Sequence, residues 1–363
     1  MTPELTSSIF AACASALALA LTPGVALGQP QQRPDPAAVT VSVDENRAVI
    51  LALAQTLRER FAFRERGIAA ANEIEAMERR GEFRSARSAA ELMALIDSKI
   101  VPVVNDQHFR VRYFGPEAVA GFTDAPPTAE ELAEFHEEVR LRGSEIPEVR
   151  WLPGNVGYLR LTLLLDTPPG VEKLAAAMGL LADTGALIID VRGTPGGEPA
   201  GVANVIGHLV AERTATVRLE VVSDPSQSRT FHAEPRTPGF AGKPVYVLID
   251  EGTGSGAEEF AYDLQAMGRA TLVGQTTSGA ATPGGYRPLS GGFVAFIPMG
   301  IVSNIMTGTN WEGVGVPPDV EVPADEALTH AHRLALEAIL KDATGVRRAI
   351  AEEGLASLDQ PQD

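Results

Sequence analysis

Apolar positions in the first part of the chain recur at intervals of three and four residues. This is the spacing of amphipathic helices. It predicts three helices, at 44–61, 67–83 and 88–100, with Asp44 as the cap of the first. We therefore expect a small N-terminal helical domain at 44–105, which carries no chemical signature of its own.

From residue 151 onward, short apolar runs alternate with helical stretches. The runs "ALIIDVRG" (186–193) and "VYVLID" (245–250) are each followed by a segment with helical spacing. Such an alternation predicts an α/β core with a mainly parallel sheet. We place this core at 106–354 and expect a frayed tail at 355–363.

The N-terminus has the pattern of an export signal. An apolar stretch at 9–21 is too short to span a membrane and precedes the small residues "ALG" at 26–28. Glu4 stands where a signal peptide usually carries positive charge. We predict a signal peptide at 1–28, a flexible Pro-rich linker at 29–43, and an exported protein that is periplasmic or secreted.

The net charge and the cysteine count argue against several classes of function. The chain has 363 residues and a formal net charge of −17, from 47 acidic against 30 basic residues. Such a surface repels phosphate backbones and anionic lipids, which argues against nucleic-acid and peripheral membrane binding. The single cysteine, Cys13, lies in the predicted signal. The mature chain would therefore lack disulfides, thiolate metal sites and a cysteine nucleophile. No other run approaches the ~20 apolar residues of a membrane span.

Ser255 lies in a glycine-rich turn between the apolar run at 245–250 and a helix predicted at 256–268. With Glu258 it forms the pattern of a capping box, in which each side chain binds a backbone N–H at the helix start. The free N–H groups and the positive dipole end of this helix also face the serine. A serine there can attack a carbonyl while nearby N–H groups receive the oxyanion. The turn alone leaves both roles open.

A second turn, "IIDVRGTPGG" (188–197), follows an apolar strand. Its glycines let backbone N–H groups approach a ligand closely, which suits an oxyanion or phosphate site. It matches neither a Walker loop nor a dinucleotide fingerprint. The sequence leaves open whether Asp190 and Arg192 pair with each other or meet a substrate.

A nucleophilic serine needs a base. None of the four lysines falls between the Ser255 turn and the closing helix, so a lysine following the serine is excluded. Among the histidines, His108 stands where the helical part ends and a strand begins, and it is the candidate base. Asp106 and Glu312 are candidates for the carboxylate that orients it. The remaining histidines are expected to be packing or solvated residues: His136, His208, His232, His330 and His332.

Four segments together carry a family resemblance: "DQHF", "DVRGTPGG", "GSGAEEFAYDLQAMGRATLVGQTTSGAATPGG" and "TGTNWEGVGVPPDVEVPADEAL". They resemble the C-terminal-processing (tail-specific) serine peptidase family. The likeness is strongest to its interphotoreceptor-retinoid-binding-protein-like branch, related to the tricorn protease core. It covers about residues 44–340. The resemblance implies an α/β fold, with a crotonase/Clp-protease-like ββα core and a small N-terminal helical bundle.

The resemblance also implies roles for individual residues. The family's nucleophile falls on Ser255. In the lysine-dyad branch the base stands 25 positions later, where this chain has Ala280, so that mechanism is excluded. The tricorn-like branch uses Ser-His-Glu, and His108 and Glu312 occupy the matching motifs. Asp106 stays open as an alternative to Glu312.

The implied oxyanion hole consists of the Gly256 N–H and one N–H from Gly196 or Gly197. No metal or organic cofactor is implied. The resemblance predicts a serine endopeptidase acting on peptides or unfolded proteins, and it leaves the oligomeric state open. No PDZ domain is inserted, since residues 115–150 are too few, which puts the tail-specific label in doubt. The alternative function is a non-proteolytic binder of hydrophobic small molecules or peptides on the same fold.

Overall fold

A computed structural model of the protein describes residues 34–119, 122, 128–143, 145–222 and 224–359. The predicted signal peptide, including Cys13, lies outside these residues. Across the described ranges, no helix combines the length and the apolar character needed to cross a bilayer.

The elements are numbered in chain order. The helices are α1 (Val43–Arg60), α2 (Arg64–Arg79), α3 (Ala89–Lys99), α4 (Val101–Val104), α5 (Pro116–Val119), α6 (Ala129–Arg142), α7 (Pro168–Leu180), α8 (Pro199–Gly207), α9 (Gly256–Ala266), α10 (Ala327–Asp342) and α11 (Gly345–Leu358). The strands are β1 (Arg110–Tyr113), β2 (Glu148–Leu152), β3 (Val156–Arg160), β4 (Ala186–Asp190), β5 (Thr214–Val221), β6 (Arg229–Ala233), β7 (Val245–Ile249), β8 (Thr271–Gly274), β9 (Gly284–Pro288), β10 (Phe293–Pro298), β11 (Gly300–Asn304) and β12 (Val320–Glu321).

The chain divides into two compact units, and neither is one continuous segment. Among the described residues, unit 1 comprises those up to Glu131 together with Leu219–Ser228 and Thr282–Val302. Unit 2 comprises Leu132–Arg218, Arg229–Ala281 and Ser303–Asp363. The domain boundaries predicted from the sequence stay a prediction.

Unit 1 contains the three predicted helices and a small antiparallel sheet. Strand β10 lies between β1 and β9, with Arg110 opposite Phe296. The helices and the sheet share one apolar core, in which Ile50 and Leu92 belong to the same cluster as Phe293. The spacing of three and four residues is therefore explained by burial of one face of each helix.

The first helix begins earlier than the sequence predicts. Its N-cap is Ser42, whose hydroxyl accepts from the Glu45 N–H at 3.2 Å while the Glu45 carboxylate accepts from the Ser42 N–H at 2.7 Å. This reciprocal pair is a capping box. The prediction that Asp44 caps the helix is wrong, because Asp44 already lies in the first helical turn.

Unit 2 is built on a six-stranded sheet with the order β12-β8-β7-β4-β3-β2. All its neighbouring strands are parallel except β2, which runs antiparallel to β3. Strands β4 and β7 are buried at every position. The mixed α/β fold with a helical N-terminal part is thus confirmed. Because the strands are parallel, the ends of β3, β4 and β7 meet at one edge of the sheet, where sites form in this class of fold.

Candidate active site

Ser255 is the N-cap of α9, in the turn that follows β7. Its backbone has φ 48° and ψ −118°, and it is one of the few non-glycine residues with positive φ in the described part of the chain. Such a conformation costs roughly 1–3 kcal/mol and persists only where the surroundings impose it. A strained serine on a sharp strand-to-helix turn is the geometry that exposes a nucleophilic hydroxyl.

Glu258 fixes this turn. Its fully buried carboxylate accepts from the Ser255 N–H at 2.8 Å and from the N–H groups of Gly279 and Ala280 at 2.7 and 2.9 Å. It also accepts from the hydroxyls of Thr277 and Ser278. Burial raises the pKa of Glu258, against these hydrogen bonds, which favour the charged form.

The predicted capping box of Ser255 and Glu258 is present at the start of α9. The Glu258 carboxylate accepts from the Ser255 N–H at 2.8 Å. The Glu258 N–H also bonds the carbonyl oxygen of Ser255 at 2.9 Å. Ser255 therefore begins the helix in a turn that Glu258 fixes.

The turn at Gly196 and Gly197 packs directly on the Ser255 turn. A methyl group added at Gly196 would lie 2.8 Å from Ser255 Cβ and 3.0 Å from the Gly256 nitrogen. One added at Gly256 would lie 2.7 Å from both the nitrogen and the oxygen of Gly197. Contacts this close exclude a side chain at either glycine. Unit 2 thus brings together Ser255 and all three glycines of the predicted oxyanion hole.

Leu164 holds the other side of the Gly196–Gly197 turn. Its N–H donates to the Gly196 carbonyl at 3.1 Å, and its carbonyl accepts from the Glu198 N–H at 2.8 Å. This is a parallel bridge between Leu164 and Gly197, in which the flanking residues make the bonds. The N–H and C=O of Gly197 therefore point away from Leu164.

Asp190 and Arg192 pair with each other, which answers the question that the sequence left open. The Asp190 carboxylate accepts from the Arg192 Nε at 2.9 Å, the Arg160 Nη1 at 2.7 Å and the Tyr158 hydroxyl at 2.8 Å. Burial would raise the pKa of Asp190, but these bonds and the two cations hold it below its ordinary value. The Asp250 carboxylate accepts from the Gly193 N–H at 2.7 Å and so joins the two turns.

An open cleft of about 780 Å³ lies in unit 2 where β3, β4 and β7 end. Tyr158, Arg160, Asp190, Arg192 and Asp250 are among the residues that line it. Gly193 also lines the cleft, whereas Ser255, Gly196, Gly197 and Gly256 are not among its lining residues.

His108 lies in unit 1, two residues before the start of β1, close to the strand start that the sequence predicts. Its Nδ1 is 3.3 Å from Thr282 Oγ1, and the Thr282 hydroxyl donates to Asp106 Oδ2 at 2.8 Å. The Asp106 Oδ1 accepts from the backbone N–H of His108 at 2.9 Å. Burial, with a smaller effect from the Arg110 cation, lowers the pKa of His108 to about 4. The ring is therefore neutral at pH 7.

Glu312, the predicted orienting carboxylate, lies in unit 2. Its Oε2 accepts from the Ala281 N–H at 2.6 Å. Next to it, the buried Trp311 donates from Nε1 to the Ala280 carbonyl at 3.0 Å. These two bonds fix the segment that contains Ala280. The orienting role of Glu312 toward His108 stays a prediction.

Two of the other histidines are core residues. His208 and His332 are buried and bond the carbonyls of Pro238 and Pro153 through ring nitrogens. His330 is exposed beside Glu326. Within the described ranges no cluster of three or more His, Cys, Asp or Glu is arranged to hold a metal ion.

Two protein-family models match the chain. The model for peptidase family S41 matches residues 155–322. The model for the N-terminal domain of this peptidase family in eukaryotic IRBP matches residues 40–141. The chain belongs to peptidase family S41. The two matches fall on the α/β part and the helical part in the order that the sequence predicts.

Among relatives of this S41 chain, a carboxyl-terminal-processing protease of Synechocystis is 34% identical over 131 residues. That match covers 35% of this chain and 29% of the relative. The carboxy-terminal processing protease CtpB of Bacillus subtilis is 25% identical over 193 residues, which are 50% of this chain and 38% of CtpB. The matches therefore span about a third of the length of these relatives.

Solved structures share the fold of this S41 chain at low identity. A protein of Parabacteroides merdae described as a peptidase superposes with a TM-score of 0.55 and 17% identity, covering 88% of this chain and 98% of that one. Mature CPAF gives a TM-score of 0.54 and 14% identity, with 83% of this chain and 99% of CPAF covered. These similarities establish the fold alone.

Proposed function

We propose that the protein is a serine endopeptidase that cleaves peptide bonds by acyl transfer to Ser255. The observation that carries this proposal is the strained backbone of Ser255, held by Glu258 and packed against the Gly196–Gly197 turn. A residue whose only task is to cap a helix needs no such conformation. Membership of a peptidase family supports the same conclusion.

In the proposed reaction, Ser255 Oγ attacks the substrate carbonyl carbon and His108 Nε2 takes the hydroxyl proton. The carbonyl oxygen becomes an oxyanion, which backbone N–H groups stabilise. Collapse of the tetrahedral intermediate breaks the C–N bond, and His108 gives its proton to the leaving amine. Water then attacks the acyl-enzyme by the same route and restores Ser255.

We assign the second oxyanion donor to Gly197, with Gly256 as the first. The carbonyl of Gly196 is bonded to Leu164, whereas the peptide groups of Gly197 face the Ser255–Gly256 turn. In an extended segment the N–H and C=O of one residue point to the same side. This supports Gly197 rather than Gly196. Loss of one such donor typically lowers kcat by about 10²–10³-fold.

The substrate class that this mechanism takes is a peptide or an unfolded protein. The named relatives process carboxyl termini, and we leave cleavage at tails or at internal bonds to be measured. We retain export to the periplasm or outside the cell as a proposal, because it rests on the pattern of residues 1–28.

The decisive experiment combines a fluorophosphonate serine probe with an unfolded protein substrate. The mature chain, residues 29–363, is compared with Ser255→Ala and His108→Ala. Ser98→Ala and His330→Ala serve as matched controls, since both side chains are exposed on helices. We expect labelling and cleavage in the wild type and both controls, and neither in the two test variants.

Other outcomes would redirect the proposal. Activity that survives in Ser255→Ala would mean that another residue is the nucleophile. A folded wild-type protein with neither labelling nor cleavage would favour the non-proteolytic binder of hydrophobic small molecules or peptides.

A further inference from the structure

Asp106, Thr282 and His108 form a hydrogen-bonded series of three polar side chains inside unit 1. Asp106 and Thr282 are both buried, with exposed fractions of 6% and 0%. Thr282 Oγ1 lies between the other two, 2.8 Å from Asp106 Oδ2 and 3.3 Å from His108 Nδ1. Thr282 lies near the end of the segment 254–285 that carries the family resemblance, but no catalytic role is expected for it from the sequence.

The direction of the two hydrogen bonds follows from counting donors. A threonine hydroxyl has one proton, and a carboxylate can only accept. Because Asp106 Oδ1 already accepts from the His108 N–H at 2.9 Å, the carboxylate takes the Thr282 proton on Oδ2. Thr282 Oγ1 then has only lone pairs for the imidazole, so His108 Nδ1 must be the protonated nitrogen. The proton-free nitrogen is Nε2, the one that a general base uses.

We propose that Thr282 is a positioning residue that transmits the charge of Asp106 to His108 and so fixes the imidazole in the Nδ1–H form. The proposal rests on the proposed role of His108 as the base. It gives Asp106, through Thr282, a part in orienting the ring. Thr282 itself touches no reacting atom.

Other groups of unit 1 restrain the relay, by which we mean the series Asp106, Thr282 and His108. Asn105, directly before Asp106, has the left-handed conformation (φ 51°, ψ 56°), and Arg66 donates to its carbonyl at 2.7 Å. On the other side, the Phe296 ring lies 6.0 Å from the His108 ring at an interplanar angle of 27°. Arg110 donates to the His108 carbonyl at 3.1 Å. These contacts constrain the backbone and the ring of His108. The direction of the Thr282 hydroxyl then decides which ring nitrogen is protonated.

Asp106→Asn tests the direction of the relay. The amide NH₂ can donate to Thr282, which turns the threonine proton toward His108 Nδ1 and moves the ring proton to Nε2. The ring would then be unable to accept the Ser255 proton, and we expect kcat to fall on the order of 10³–10⁴-fold.

Thr282 variants test the link itself. Thr282→Val removes the hydroxyl at similar volume and should lower kcat by roughly 10–100-fold, less than the loss of a positioned base. Thr282→Ser keeps the hydroxyl and should restore the rate. The double variant Asp106→Asn/Thr282→Val should be more active than Asp106→Asn alone, because the hydroxyl that imposes the wrong tautomer is gone. Equal or lower activity of the double variant would overturn the relay.

The closing experiment reads the tautomer without enzyme activity. The full mature chain is labelled with ¹⁵N-histidine, and the ring resonances of His108 are identified by their loss in His108→Ala. At pH 7.5 we expect Nδ1–H in the wild type, Thr282→Ser and Glu312→Gln, and Nε2–H in Asp106→Asn. An Nε2–H ring in the wild type, or a tautomer change in Glu312→Gln, would refute the proposal. Correct tautomers in a protein without peptidase activity would leave the relay standing and refute the proposed function.

Discussion

Replacing Gly196 by alanine is the sharpest steric test of the candidate site. The added Cβ would lie 2.8 Å from Ser255 Cβ and 3.0 Å from the Gly256 nitrogen, and neither atom can swing away. Ordinary carbon–carbon contact begins near 3.5 Å, so the turns must separate by roughly 0.7 Å. Misplacement of a catalytic group by about 1 Å can lower the rate ~10²-fold. We expect a loss of that order in kcat/KM and in the rate of fluorophosphonate labelling.

Gly193→Ala is the matched control in the same loop. Gly193 also has a positive φ, 64° against 140° for Gly196, but an added Cβ would meet no atom within 4 Å. Its left-handed backbone should cost about 1–2 kcal/mol of stability without moving Ser255. Labelling is measured well below the melting temperature of both variants. If Gly196→Ala is labelled as fast as Gly193→Ala, the contact between the two turns does not position the nucleophile.

Three further predictions address charge. Burial lowers the pKa of His108 to about 4, so the base is neutral above that pH. The rate of fluorophosphonate labelling should therefore stay level from pH 8 to about 5 and decline toward pH 4. A midpoint near pH 6.5, the ordinary pKa of histidine, would contradict this. Glu258→Gln places an amide NH₂ against backbone N–H donors. It should lower the free energy of unfolding by ~2–4 kcal/mol, measured by denaturant titration, and abolish labelling by the fluorophosphonate probe. Burial raises the pKa of Asp263 to about 7 beside Glu259, so the folded state binds more protons than the unfolded state between about pH 4 and 7. The free energy of unfolding should therefore fall as the pH rises through that window, and Asp263→Asn should make that fall smaller. If calorimetry at pH 5 and pH 8 shows the same change in the free energy of unfolding for the wild type and Asp263→Asn, the prediction is refuted.

Local patterns predict the elements around the site because those elements depend on neighbouring residues. The strand, turn and helix around Ser255 and the turn that ends at Gly197 follow from apolar runs interrupted by glycines. The parallel sheet follows from strands that alternate with helices. The position of His108 before a strand is local in the same way.

Contacts between distant segments leave no comparable local pattern in the sequence. Thr282 is an ordinary hydroxyl in the sequence and gains its role from Asp106, 176 positions away. Glu258 is predicted as a capping residue, because donors at 277–280 cannot be inferred from helix spacing. The last helix was missed for another reason. The sequence suggests a frayed tail at 355–363, but the separate helix α11 extends to Leu358. Its Gly354, which packs closely on Gly154, looks like a helix breaker when the packing is unknown.

The discontinuity of unit 1 sets an order of events during synthesis. His108 and Thr282 are 174 positions apart. Strand β1 pairs with β10, which is synthesised later. At 5–20 residues per second, the ribosome needs roughly 9–35 s to make the intervening chain. For that time α1–α3 lack the apolar partners that Phe293 and its neighbours later supply. A nascent chain that stops before residue 282 should therefore be digested readily by added protease within 44–113, and it should have no oriented imidazole. The timing of translation thus keeps the proposed peptidase inert until most of it has been made.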